Sequence, residues 1–443
     1  MTHPQIDNRT LFTGDNLEVM RTLNSESVDL IYLDPPFNKK FVFPIGKGDN
    51  KEFGYKDIWG WESVPDEHNP FLPYAELLAF NELFTSQHED NMLVERAMAK
   101  KIVRFLEITG EVAGIAEMAY LSFMAARLVE MRRLLKPTGS IYLHCDSTMS
   151  HSLKLLMDII FGGDNFRNEI VWHYENKLRD SRKRIWQAAT DILLFYVKSR
   201  ENYTFNSQYI PLDKPRRYTK IQKVDGKKVS VRDKQGNVLY IESTRKLMDN
   251  VLRIPMLTGS GERTGYPTQK PLALLERVIA ASSNEGDFVL DPFCGCATTC
   301  VAAERLDRQW CGIDVASHAA DLVRNRLEEE TQQGKLSDKK VPQIHHRELA
   351  EGDCPIRTDL GETRSKNIKQ LLYGKQEGKC NLCKRHFEIR DFHIDHITPK
   401  SKGGPDVDRN LQLLCGSCNI IKGKKTMTNA VKRLAELGYI KAA

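Results

Sequence analysis

Two short stretches place a carboxylate where an α/β sheet would offer it to a ligand. The β-rich run Ser27-Val28-Asp29-Leu30-Ile31-Tyr32-Leu33 stops at Asp34-Pro35-Pro36-Phe37. Neither proline can continue a central strand, so Asp34 is expected at the carboxyl end of that strand. Asp287-Phe288-Val289-Leu290 is a second strand, ending in Asp291-Pro292-Phe293-Cys294-Gly295-Cys296-Ala297-Thr298-Thr299, whose small residues let backbone approach a ligand. Open α/β sheets bind their ligands at such carboxyl ends. A third constellation is different in kind. Cys380-x-x-Cys383 and Cys415-x-x-Cys418, with 31 residues between the pairs, can supply four thiolates to one tetrahedral zinc. Between them stands His393-Ile394-Asp395-His396-Ile397-Thr398-Pro399, then Gly403-Gly404 and Asn410-Leu411; Asn419 and Lys422 follow the last cysteine. A bare zinc ribbon needs none of these polar residues.

The elements that must hold these groups alternate along the chain. Leu11-Phe12-Thr13 is a strand ended by Gly14-Asp15-Asn16, and Leu17 to Leu23 a short helix. Leu121, Met124, Leu128, Met131 and Leu135 recur at steps of three and four, which predicts a long helix from Glu117 with one buried stripe. Pro137 and Gly139 stop it before the strand Ser140–His144; a helix over Ser152–Phe161 and an apolar strand over Ile192–Val197 follow. Pro271 opens a helix to about Ala281, Thr298–Leu306 is helical, Trp310–Ile313 is a strand ending at Asp314, and another helix follows His318. This is α/β architecture. Residues 38–110 carry Trp59, Trp61 and one helix from about Glu76, and residues 200–250 read as a basic, turn-rich, loop-like insertion. Residues 331–363 read as a linker, with a compact cysteine-bearing module beyond.

The 443 residues suffice for two or three domains, and the apolar content of 41% is ordinary for a globular protein. No run of eighteen apolar residues occurs and the start lacks the regions of a signal peptide, so a spanning or secreted protein is not expected. With no secretion signal, the cysteine pairs point to metal thiolates in a reducing compartment. The net charge of +6 is unevenly spread: residues 177–249 carry +10, residues 364–443 carry +10, and the remainder −14. Two basic blocks on an acidic body point to polyanion contact at two places.

The Asp-Pro-Pro-Phe element, the Asp291 loop, Thr268-Gln269-Lys270-Pro271 and Gly139-Ser140-Ile141-Tyr142 together resemble the S-adenosylmethionine-dependent DNA amino methyltransferases, over about residues 9–330. With the Asp-Pro-Pro-Phe element first and the cofactor loop late, the order resembles the circularly permuted beta group. The resemblance implies a Rossmann-like methyltransferase sheet and transfer of a methyl group to the exocyclic amino group of a flipped base. A base amino group is a poor nucleophile, its lone pair being delocalised into the ring. Asp34 and the carbonyl of Pro35 would accept its N–H groups, Pro36 would stiffen the turn, and Phe37 would offer the base a flat face. For the cofactor, the resemblance implies Asp15 beside the adenine, Lys270 and Asp291 at the methionine end, Phe293 packing near it, Gly295 and Thr298 in the loop, and Asp314 on the ribose. Related enzymes usually have Ser-Gly where Cys296-Ala297 stand, and a Cβ at 297 would crowd a loop needing positive φ. An Asp at 34 leans to adenine N6 over cytosine N4. Target recognition is assigned to about residues 175–255.

The 366–428 segment resembles the zinc-containing HNH endonucleases. That implies a ββα-metal fold over residues 364–443, with Cys380, Cys383, Cys415 and Cys418 on structural zinc, His396 as general base, and Asn410 orienting it or bracing the loop. Asp395 and Asn419 would hold Mg²⁺. The combined expectation is a cytoplasmic, nucleoid-associated restriction–modification type enzyme acting on double-stranded DNA. A homodimer is an open alternative to a monomer, and no membrane partner is expected. The alternatives are a cytosine-N4 methyltransferase whose tail only binds DNA, and a non-catalytic DNA-binding protein.

Overall fold

Strand and helix formers alternate from Thr10 onward, so consecutive strands can return to one sheet through helical crossovers. The computed structural model describes residues 6–37, 41–45, 52–57, 89–177, 182, 184–258, 261–266, 268–316, 319–336, 343–348, 355, 368–376, 378–402, 404, 406 and 410–438. The chain begins with β1 (Thr10–Thr13), α1 (Asn16–Thr22) and β2 (Val28–Leu33), then a hairpin of β3 (Phe41–Ile45) and β4 (Glu52–Asp57). Helices α2 (Glu89–Ala113) and α3 (Ile115–Leu134) lead to β5 (Leu135–Cys145), α4 (Ser150–Phe161), β6 (Phe166–His173) and β7 (Thr190–Val197). Two ribbons follow, β8 (Tyr209–Thr219) with β11 (Tyr240–Leu247), and β9 (Ile221–Val224) with β10 (Lys227–Ser230). The last part holds β12 (Val251–Arg253), α5 (Leu272–Ser282), β13 (Phe288–Asp291), α6 (Thr298–Arg305), β14 (Gln309–Asp314), α7 (Ala319–Gln332) and β15 (His345–Glu348).

Nine of these strands form one sheet in the order β12-β6-β7-β5-β2-β13-β14-β1-β15. Only β7 runs antiparallel to its neighbours. Its interior is mixed α/β with a large, mostly parallel sheet, as expected. Alternation along β2 shows how the layers arise: Ile31 and Leu33 enter the core beneath α3 and α4, while Leu30 and Tyr32 enter the core beneath α5 and α6. The predicted stripe of α3, Leu121, Met124, Leu128 and Met131, lies wholly in the first core. Among the described residues no helix is long and apolar enough to cross a membrane.

The C-terminal module has a separate small core built by α8 (Ile368–Lys375), β16 (Phe392–His396), β17 (Leu411–Cys415), α9 (Gly416–Lys422) and α10 (Met427–Glu436). β16 and β17 pair antiparallel with Asp395 opposite Gln412, and α9 follows directly, giving a ββα unit.

Three expectations change. The 200–250 block is strand ribbon rather than loop: its strands are exposed on both faces, so no apolar alternation marked them. The stretch 331–363, expected as a linker, contributes β15 to the sheet edge. Main-chain pairing with β1 and the Arg347–Asp7 ion pair hold it, with no apolar pattern to reveal it. His393, which the sequence allows as a satisfied core histidine or as a group behind the site, is exposed. Trp59, Trp61, the helix start near Glu76, Arg179, Lys183, His318, Cys354 and Gly403 lie outside the described residues.

Candidate functional site

Four adjacent parallel strands end in or just before a carboxylate: β2 at Asp34, β13 at Asp291, β14 at Asp314 and β1 at Asp15. β2 and β13 pair through Leu30–Val289 and Ile31–Leu290, so the two sequence-distant loops open side by side. The predicted base-binding and cofactor-binding residues therefore share one edge of the sheet, where ligands bind in open α/β folds.

At Asp34 the two carboxylate oxygens have different fates. Oδ2 forms an ion pair with the Lys270 ammonium. Oδ1 is buried and has no hydrogen-bond partner among the described residues. A buried acceptor without a donor is costly, so the atom is suited to accept one from a ligand. Lys270 also stands 5.6 Å from the centroid of the Phe37 ring. Lys270, expected at the cofactor, pairs here with Asp34, the residue expected to meet the base.

In the Asp291 loop the peptide turns sharply. Gly295 has φ 50°, and Ala297, the N-cap of α6, has φ 53° and ψ 39°. A Cβ in the left-handed region is strained, as the Cys296-Ala297 departure suggested. Ala297→Gly is expected to tighten binding of a methyl donor about threefold in calorimetry and to leave thermal stability within about 1 kcal/mol. Relief of strain is there offset by greater freedom of the unfolded chain. Arg326, buried on α7, pins this loop by donating to the Cys296 carbonyl (2.8 Å) and to Thr298 Oγ1 (3.0 Å). Its Nη2 is buried without a hydrogen-bond partner among the described residues and faces the Glu262 carboxylate at 4.0 Å. Cys294 and Cys300 are buried, their thiols pushed up by burial, and pack against Gly312. Such thiols are inert fillers.

Asp291 accepts from Thr299 Oγ1 (2.5 Å) and the Phe293 N–H (3.1 Å). Burial dominates, and with the nearby charges of Asp34 and Asp314 it pushes the carboxyl up to about 7. A cationic ligand favours the ionised form, so methyl-donor affinity should rise between about pH 6 and 8, with proton release detectable by calorimetry in two buffers. Without ligand the sign is opposite for stability. The unfolded chain loses this proton near pH 4, so stability falls as pH rises from about 4 to 7.

Asp314 accepts from the Gly295 N–H (2.8 Å) and the Ala316 N–H (2.9 Å), tying the loop to β14. Asp15 caps α1 and is paired with the buried Arg127 (2.9 Å). Arg127 also donates to Asn16, which donates to the Pro292 carbonyl (2.6 Å). Phe293 packs against Phe123, with ring centroids 6.2 Å apart. Arg127, Asn16 and Arg326 were missed because single polar residues on helices carry no local motif; only their partners reveal them.

In the small module the sulfur atoms of Cys380, Cys383, Cys415 and Cys418 all lie within 4.8 Å of one another, and Cys383 and Cys415 are 3.9 Å apart. Four thiolates at zinc bonding distance stand about 3.8 Å apart in a tetrahedron, so the donor set fits zinc. The Cys415 N–H donates to Cys380 Sγ (3.3 Å), as suits a thiolate ligand.

His396 Nε2 meets Asp406 Oδ1 at 2.9 Å. The carboxylate only accepts, so Nε2 carries a proton, and in the neutral ring Nδ1 keeps a lone pair. Asp406 was not foreseen; it lies ten residues on, across a loop. Asn410 braces that loop, accepting from the Thr398 N–H (2.9 Å) and donating to the Thr398 carbonyl (3.0 Å). Asp395 Oδ2 accepts from the buried Lys422 ammonium (2.9 Å) and from Gln412 (2.8 Å), and Oδ1 has no partner among the described residues. Asn419 lies on α9, half-buried. Mg²⁺ is commonly held by one or two carboxylates and the substrate phosphate, and Asp395 Oδ1 fits that pattern.

The basic ribbon completes the picture. Arg216, Arg217, Lys220, Lys227 and Lys228 are exposed, Arg217 lies over the Tyr240 ring (5.3 Å) and Arg245 over Tyr209 (4.4 Å).

Comparison with known proteins agrees with this geometry. A family described as DNA methylase matches residues 28–325, and one described as HNH endonuclease matches residues 380–425. The chain is similar to the DNA adenine methyltransferase YhdJ of Escherichia coli (strain K12), 26% identical, covering 72% of this chain and 83% of that protein. It is also similar to the type II methyltransferases M.EcaI of Enterobacter cloacae (27% identical, 48% of this chain, 58% of that protein) and M.HpaI of Haemophilus parainfluenzae (32%, 48%, 60%). The chain thus spans less than two thirds of the length of these last two. Among solved structures, the cytosine-N4-specific PvuII DNA methyltransferase is 16% identical, with 72% of this chain and 88% of that chain covered and a TM-score of 0.38. With a family match across most of the sheet and its carboxylate edge, and a second across the cysteine module, the chain belongs to the DNA methylase family of N6/N4 type and carries a C-terminal HNH endonuclease domain.

Proposed function

We propose that the protein methylates the exocyclic amino group of a flipped base in double-stranded DNA, adenine N6 by preference, and that its HNH domain cleaves DNA in a restriction–modification role. The observation that carries this reading is the buried Oδ1 of Asp34, without a partner among the described residues, beside an ion-paired Oδ2. Lys270 holds one oxygen and keeps the carboxylate in place; the other is left to accept the amino N–H, with the Pro35 carbonyl as second acceptor. As the nitrogen gains its methyl group and becomes cationic, Oδ1 stabilises it and takes its proton. Phe37 offers a face for the extruded base. S-adenosylmethionine, when bound, supplies an electrophilic methyl group on its sulfonium. Asp291, Asp314, Asp15, Lys270, Phe293, Gly295 and Thr298 are the residues assigned to holding it, the carboxylates suiting a ligand with a cationic end and a ribose diol. The name of the E. coli relative, which aligns over most of both chains, supports adenine.

In the HNH domain the Cys₄ set would hold structural zinc. His396 Nδ1, with its ring oriented by Asp406, would take the proton of the attacking water. Asp395 and Asn419 would hold Mg²⁺, which when bound supplies charge to stabilise the phosphodiester oxygens. The ribbon of residues 209–247 suits target recognition, since a two-stranded β-ribbon fits the major groove and its cations can meet phosphates.

The test is incubation of the full chain with unmethylated plasmid, S-adenosylmethionine and Mg²⁺, followed by long-read mapping of modified bases and cut ends. N6-methyladenine at one sequence context, with Mg²⁺-dependent ends, is expected. N4-methylcytosine would transfer the reading to cytosine, intact DNA would leave the tail a binding module, and no methylation at all would reject the proposal.

A further inference from the structure

Behind the base-binding turn lies a buried polar network with no part in the chemistry above. His144, on β5, is 0% exposed, and Tyr32, on β2, is 2% exposed. The Tyr32 hydroxyl and His144 Nδ1 are 2.7 Å apart, and His144 Nε2 lies 3.4 Å from Asp191 Oδ2 on β7. A carboxylate only accepts, so Nε2 carries a proton, and in the neutral ring the lone pair of Nδ1 accepts from Tyr32. Tyr174 donates to the other oxygen of Asp191 (3.4 Å). Three neighbouring strands thus contribute one residue each to a chain of hydrogen bonds through the sheet.

The imidazole so locked is stacked on Phe37, with centroids 5.9 Å apart and planes 30° from parallel. Trp172 also meets it edge-on, at 5.7 Å and 88°, and Trp172 is itself anchored by donating to the Ile254 carbonyl (2.8 Å). Phe37 lies beyond β2, outside any strand, after two prolines that can donate no backbone hydrogen bond. Its ring angle must therefore come from side-chain packing. A leucine or phenylalanine would fill the space under it without burying two polar groups that need satisfying. The network adds orientation, because it fixes both position and plane of the ring that Phe37 rests on.

We infer that His144 is a positioning residue for methyl transfer. Held by Tyr32 and Asp191, it sets the plane of Phe37 and so the plane of the base whose amino group must reach Asp34 Oδ1. This rests on the proposed base-methylating function. A misplacement of about 1 Å at a reacting centre can cost up to 10²-fold in rate, with ground-state binding little changed.

The test uses the full chain, unmethylated phage lambda DNA and S-adenosylmethionine carrying a labelled methyl group, with initial rates measured against each substrate. His144→Leu is expected to lower kcat at least about tenfold, with the donor KM and calorimetric Kd within about twofold of wild type. Tyr32→Phe removes one hydroxyl and keeps the ring; it should lower kcat about threefold and serves if the leucine variant does not fold. His144→Phe keeps a ring without the hydrogen bonds and should recover part of the loss. Tyr142→Phe, on the same strand as His144, breaks the buried bond to Ser282 of α5; it is the control for stability and should leave kcat unchanged. Wild-type kcat in both His144→Leu and Tyr32→Phe would overturn the inference, as would a fall in kcat matched by Tyr142→Phe at equal loss of thermal stability. Asp34→Ala separates the two levels. An inactive Asp34→Ala beside fully active network variants defeats the inference alone, whereas a wild-type chain that transfers no label defeats the proposed function with it.

Discussion

Asp34→Ala should lower the rate of methyl transfer about 10³-fold while methyl-donor affinity stays within about twofold. The size follows from the role proposed for Oδ1: an acceptor aimed at a nitrogen turning cationic stabilises the transition state far more than the bound base. Asp34→Asn keeps a carbonyl acceptor and gives up the charge, so a loss of about tenfold is expected, which would divide the acceptor role from the charge role. Lys270 complicates the alanine variant. Its side chain is 11% exposed, and losing its partner leaves a nearly buried cation, at a cost of about 3 kcal/mol. Asp34→Ala combined with Lys270→Met should therefore recover thermal stability and recover no activity. Rates from labelled methyl transfer, beside melting curves for the three variants, check this. Activity returning with stability would show that Asp34 acts only through the fold.

Zinc removal should have the second large effect, confined to the C-terminal module. Its core contains few large apolar side chains, among them Leu372, Phe392, Leu413, Leu414 and Leu434, with the cysteines themselves buried between them. A module of this size rarely stands on such a core alone, and binding of structural zinc contributes on the order of 10 kcal/mol. A strong chelator, or Cys415→Ser, should melt the module at ambient temperature and abolish Mg²⁺-dependent cleavage, with methyl transfer retained. Zinc content by atomic emission, circular dichroism and plasmid nicking check this together. His396→Ala is the informative partner: nicking lost, zinc content unchanged. A chelated protein that still nicks would remove zinc from the account.

Much of the site was legible because its motifs are local. Two prolines after a β-rich run mark a strand end wherever that run folds, and Asp34 is found there. The Asp291 loop likewise declares a tight turn, and the αL conformation of Ala297 was foreseeable from a Cβ standing where related chains have glycine. Two Cys-x-x-Cys pairs form knuckles whose sulfurs need only be brought together. Elements with a buried face announced themselves by period, as α3 did. The ribbons of β8 to β11 and the edge strand β15 did not, because a strand with no face to bury follows no hydrophobic pattern.

What the residues determined alone was therefore local chemistry: which groups could accept, ligate or stack, and at which strand ends they would stand. The tertiary structure decided the pairings. Lys270 reaches Asp34 only because the loop before α5 folds back over the end of β2; Asp406 reaches His396 across a loop, and Tyr32, His144 and Asp191 meet only once β2, β5 and β7 lie side by side. Charge and hydrogen-bond partners depend on distances of about 3 Å, and positions far apart along a chain acquire such distances only through packing.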